Sequence, residues 1–92
     1  MTFSYIISDV LKKRISKLGR KNKRLAQTFR KKVNEVVNRD VDSVRMYKNL
    51  RSPQNKFKRI HLTGSHILIF HVDVTSMHII FVDIVHWDEA YE

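Results

Sequence analysis

Three runs rich in β-forming residues, Phe57 to Leu62, His66 to Val72 and His78 to Val85, follow one another with only Thr63-Gly64-Ser65 and Asp73 to Met77 between them. A parallel crossover needs a dozen or more residues, so links this short require antiparallel neighbours. Upstream, Thr2 to Ser8 alternates Phe3, Tyr5 and Ile7 against Thr2, Ser4 and Ile6, a period of two that predicts a first strand. Ser8 or Asp9 can cap a helix carrying Leu11, Ile15 and Leu18 on one side, with Gly19 as its expected stop. Asn22 can cap a second helix, in which Leu25, Phe29, Val33, Val36 and Val37 form one stripe and Lys23, Arg24, Arg30, Lys31 and Lys32 lie mostly off it. Periodicity fails from Arg39 to Gln54, where Asp40, Asp42, Ser43, Asn49, Ser52 and Pro53 favour a connector with at most one helical turn. The order β-α-α-β-β-β describes an α+β protein: an N-terminal strand, an αα-hairpin and a three-stranded antiparallel meander, in one small sheet with the helices on one face. Residues 1–92 make a single domain.

Charge narrows the partners. Between Lys12 and Lys32 there are 11 basic residues in 21 positions, and no acid lies between Asp9 and Glu35. Asp73, Asp83, Asp88, Glu89 and Glu92 fall near the other end, so the formal charge of +9 is concentrated in the first half. Such a field attracts phosphate-rich ligands, in a manner that weakens with salt, so nucleic acid or ribosome contact is expected; a solvated basic helix face or an acidic protein partner is the alternative. The absence of cysteine removes disulfides, Cys-ligated zinc and thiol nucleophiles, and a cytoplasmic location is expected. The longest uncharged run, Ile60 to Val72, has 13 residues and contains three histidines, too short and too polar to span a bilayer. The apolar N-terminal stretch has no basic segment ahead of it and stops at Asp9, unlike a signal peptide.

Four strings in this order, Tyr47-Lys48-Asn49-Leu50-Arg51, Phe57-Lys58-Arg59-Ile60-His61-Leu62, Ile67-Leu68-Ile69-Phe70-His71-Val72-Asp73 and Val85-His86-Trp87-Asp88-Glu89-Ala90-Tyr91, resemble the RelE/ParE superfamily of toxins from bacterial and archaeal toxin–antitoxin pairs. The resemblance covers almost the whole chain. It implies a toxin neutralised by a smaller antitoxin, with RelE-like members cleaving messenger RNA, commonly on the ribosome. ParE-like members instead poison DNA gyrase and need no nuclease site. A degenerate toxin that retains only antitoxin binding is a further alternative.

RNA cleavage without a metal needs a base for the 2′-hydroxyl, an acid for the 5′-oxygen and cations for the phosphorane. Histidine suits the first two roles because its unperturbed pKa of roughly 6.5 makes both protonation states available near neutrality. All five histidines, His61, His66, His71, His78 and His86, lie on or beside the last three strands. His61 and His86 match histidine positions of the YafQ-like branch, which makes them the expected proton-transfer pair. His66 falls where that branch carries an active-site aromatic, and Tyr91 matches a C-terminal tyrosine of the RelE branch. Arg59 shares a strand face with His61 by alternation, so Lys56, Lys58 and Arg59 are the candidate charge stabilisers. Lys48 and Arg51 are candidate RNA contacts. The chain departs from the better-known RelE pattern at Ile67 and Trp87, where relatives carry arginine, so a histidine-centred variant is expected. Packing or solvent accounts for His71 and His78, and Trp87 is more simply a seal on the sheet edge. Antiparallel strands could gather His61, His66 and His86 around zinc, but no compact ligand motif is present, and neither metal nor cofactor is expected.

Overall fold

A computed structural model describes residues 3–50 and 56–87. Seven elements follow in order: β1 (Ser4–Ile7), α1 (Asp9–Lys21), α2 (Lys23–Val37), α3 (Val41–Arg45), β2 (Lys58–His61), β3 (His66–Asp73) and β4 (His78–His86). The α+β architecture expected from the sequence is present. The sheet order is β1-β4-β3-β2, with β2, β3 and β4 antiparallel and β1 parallel to β4. The helical hairpin lies in the connection between β1 and β2, which lets these two strands take opposite edges of the sheet. No helix among the described residues is long and apolar enough to cross a membrane.

One residue manages the passage from β1 to α1. Ser8 caps α1 by accepting a hydrogen bond from the Leu11 amide at 3.1 Å, while its hydroxyl donates to the Val82 carbonyl and its amide to that of Phe81. The cap thus ties the start of the helix to β4 at the level where β1 ends. Further along α1, Arg14 donates to the Ile84 carbonyl at 3.4 Å and pairs with Asp83 at 3.5 Å. The part of β4 that β1 does not cover is therefore followed by α1.

The expected stop at Gly19 is not where α1 ends; the helix continues to Lys21, and Asn22 serves as its C-cap as well as the N-cap of α2. The physical reason for the glycine is crowding between the helices. A Cβ built at Gly19 would sit 3.1 Å from the Ala26 Cβ, so the small residue permits the close hairpin. The five stripe residues of α2 are all buried, joining Leu11, Phe3, Leu68, Phe70, Ile79, Phe81 and Ile84 between helices and sheet. A smaller cluster of Leu50, Ile67 and Ile69, flanked by Phe57, Val82 and Val85, occupies the other sheet face.

A β-bulge interrupts β4. Phe70 faces Phe81, but Ile69 faces Asp83, leaving Val82 without an opposite number. Beyond it the alternation is inverted: Ile84 rather than Asp83 enters the core beneath the helices, and Val85 joins the outer cluster.

Replacing Gly19 by leucine forces several atoms into a contact already tight for one. We expect Gly19→Leu to lower unfolding free energy by about 1–3 kcal/mol, measured by urea denaturation, whereas relief of the glycine penalty without a clash would raise it.

Candidate active site

The bulge decides which imidazoles meet. Residues directly opposite on neighbouring strands share a sheet face, and the register sets His66 against His86. Trp87 N donates to Ser65 O at 2.5 Å, which brackets the two histidines as a non-hydrogen-bonded pair, the arrangement in which cross-strand side chains approach most closely. Their ring centroids are 6.2 Å apart at an interplanar angle of 74°. By alternation both belong to the face of Leu68 and Ile84, at the end of the strands.

His61 is opposite Ile67, on the other face, and its Nε2 lies 2.8 Å from the Gly64 carbonyl. The sequence-based pairing of His61 with His86 is thus not the one the register makes. Strict alternation from Phe81 would carry His86 to the His61 face; the extra residue at Val82 moves it to the His66 face. Arg59 does share the face of His61, as alternation required. His71 is opposite Ile80, and its ring contacts that of Phe57. His78 is at the far end of β4, with Nδ1 2.8 Å from the Ser4 hydroxyl. Lys56 and Lys48 are exposed, and the Lys56 ammonium lies 5.1 Å from the Phe57 ring centroid. Arg51 and Tyr91 lie outside the described residues.

Lys58 has a different surrounding from the one expected of a phosphate ligand. It is opposite Phe70, toward the helices, and its ammonium donates to Arg45 O at 3.2 Å, Tyr47 O at 3.0 Å and Asn49 Oδ1 at 3.1 Å. An ammonium has three donors, and all three have acceptors within the chain. Burial holds its pKa below the ordinary lysine value. Lys58 therefore fastens the connector to β2, where Asn49 also forms a β-bridge with it and Leu50 N donates to Phe57 O.

Tyr47 carries a second fastening that composition and periodicity did not reveal. Its hydroxyl donates to Glu35 Oε2 at 2.6 Å and accepts from Arg39 Nε at 2.6 Å, while its ring meets Phe70 edge to face. Burial, followed by the bond to Glu35, pushes the phenol up to about 12. The Tyr47 hydrogen bond, with Lys32 and Arg39 nearby, holds the Glu35 carboxyl below its usual range. The only sequence signal was the place of Tyr47 in the string 47–51. No group of three or more His, Cys, Asp or Glu side chains among the described residues is arranged to hold a metal ion.

No family model matches the chain. It is 38% identical over 86 residues to a Methanocaldococcus jannaschii protein named "Putative toxin RelE4", covering 94% of this chain and 87% of that one. It is 31% identical over 85 residues to an uncharacterized Methanosarcina mazei protein, covering 92% and 94% respectively. A similar solved structure is the toxin–antitoxin complex RelBE2 of Mycobacterium tuberculosis, with a TM-score of 0.62, 15% identity and coverage of 94% of this chain and 99% of that chain, a likeness of fold. The chain belongs to the RelE family of toxins.

Two outcomes follow from the fastenings. Lys58→Met leaves three acceptors without their donor and should cost about 1–3 kcal/mol by urea denaturation; an unchanged midpoint and slope would show that the clamp is dispensable. Glu35 titrates lower in the folded than in the unfolded chain, so its contribution is present above the ordinary value of 4.5 and is lost as pH falls through the folded pKa. Between pH 5 and 3, measured stability should thus fall less steeply in Glu35→Gln than in the unsubstituted protein; parallel slopes would contradict this.

Proposed function

We propose that this RelE-family protein is the toxin of a toxin–antitoxin pair and acts as a messenger RNA endoribonuclease on the ribosome, using general acid–base chemistry without a metal. The observation that carries this reading is the cross-strand, edge-to-face placement of His66 and His86. One neutral imidazole takes the 2′-hydroxyl proton as that oxygen attacks phosphorus. The other, as imidazolium, gives a proton to the departing 5′-oxygen. The products are a 2′,3′-cyclic phosphate and a 5′-hydroxyl. A ring separation of 6.2 Å is compatible with a phosphodiester lying across both rings, each nitrogen within about 2.6–3.2 Å of its oxygen.

In this reading the cations are divided by range. Lys56 and Arg59 are the sequence's candidates for the phosphorane charge, Arg59 from the His61 face of the sheet, while Lys58 supports the connector. The basic α1 follows the β4 edge that ends in His86, and Arg14 is bonded to that edge. It thus supplies the longer-range attraction for ribosomal or messenger RNA. His61 supports the β2–β3 turn, Lys48 and Arg51 contact RNA backbone, and Tyr91 stacks on a nucleotide or positions the nucleophile. The partners are a cognate antitoxin, messenger RNA and the ribosome.

Cleavage in a translating extract, mapped by primer extension, tests the assignment. His66→Gln and His86→Gln should each slow cleavage by about 10²–10⁴, with His61→Gln much less affected. Unchanged cleavage in both of the first two variants would reject the pair. Loss of DNA supercoiling activity in a gyrase assay, with messenger RNA left intact, would favour the non-enzymatic alternative.

A further inference from the structure

We propose that His66 and His86 form a bidentate site for a borderline divalent transition metal, represented by Zn²⁺, and that occupancy shuts off the proposed nuclease; the inhibitory part rests on the acid–base assignment above. The backbone supplies the first argument. The Trp87 N to Ser65 O bond makes the two histidines a non-hydrogen-bonded pair, whose Cα atoms stand only about 4.5 Å apart. Both side chains leave the sheet on the same face, which brings them to the same side of the strands.

Ring geometry supplies the second. With bonds of about 2.0–2.1 Å, two imidazoles on one tetrahedral zinc have centroids roughly 5 Å apart. The observed separation of 6.2 Å at 74° is only a little wider than that. Imidazole nitrogen selects for zinc, copper and nickel over magnesium and calcium, which prefer oxygen ligands.

Only two side-chain ligands come from the pair, so water completes the shell. The +9 chain charge also works against a cation. Both features predict reversible, micromolar binding rather than a permanent structural ion. A metal on either ring takes up the lone pair that proton transfer needs. Bound zinc and RNA cleavage would then exclude one another.

The test uses the untagged full chain and ZnCl₂. Nitrogen-15 imidazole spectra during a substoichiometric zinc titration should show His66 and His86 shifting together, with His61, His71 and His78 unmoved. Calorimetry should give one zinc per chain, weakened at least tenfold by His66→Gln or by His86→Gln and unchanged by His78→Gln. In parallel, zinc should abolish RNA cleavage and EDTA should restore it. Absence of zinc binding, or shifts confined to other histidines, overturns the site. Zinc binding at the pair in a protein that never cleaves RNA upholds the metal site and rejects the nuclease reading instead. Full cleavage with the pair saturated by zinc rejects the proposed inhibition.

Discussion

The pairing of β3 with β4, broken by one extra residue at Val82, is the constraint on which the rest of the molecule depends. β3 is the most enclosed strand, with Leu68 and Phe70 under the helices and Ile67 and Ile69 against the opposite cluster. Before the bulge, Ile79 and Phe81 point into the main core; after it, Ile84 does. A regular β4 would have sent Asp83 toward the core in place of Ile84. The bulge avoids that burial, leaves Asp83 accessible to Arg14, and carries His86 round to His66. Core packing and the placement of the imidazoles are thus settled by a single insertion.

The helices have a separate task. Their apolar stripe is consumed in covering the sheet, and their remaining surface carries 11 basic residues against two acids, Asp9 and Glu35. Like charges crowded onto two adjacent helices repel one another, and the hairpin is held by local devices instead. Asn22 caps both ends that meet there, Gly19 allows close approach to Ala26, and Ser8 and Arg14 bind α1 to β4. The field is therefore carried by rigid elements whose positions do not depend on neutralising it.

Much of this was legible in the residues. The α2 stripe, the Ser8 and Asn22 caps and the antiparallel meander follow from spacing and link length, because each is a local rule. Three features were not, because each is decided by contacts remote in sequence. Gly19 reads as a stop by composition, yet its role is set by Ala26 on the next helix. Lys58 reads as a free cation, yet its three acceptors come from the connector. The family resemblance pairs His86 with His61, and alternation contains no mark of the bulge that separates them; the one hint was Asp83 at a position that regular alternation would have buried.

Isoleucine at 67, where the resemblance to the RelE pattern called for arginine, is intelligible in the same terms. Ile67 is buried against Leu50 and Ile69, on the face away from the His66–His86 pair. An arginine there would have its guanidinium on the His61 side of the sheet, unless its long stem reached round the strand end. A site centred on that face would suit arginine chemistry, and one centred on the His66 face would not. The apolar residue at 67 and the bulge at 82 therefore point the same way. Ile67 fills the outer face with apolar packing, and the bulge sets the two imidazoles on the opposite one.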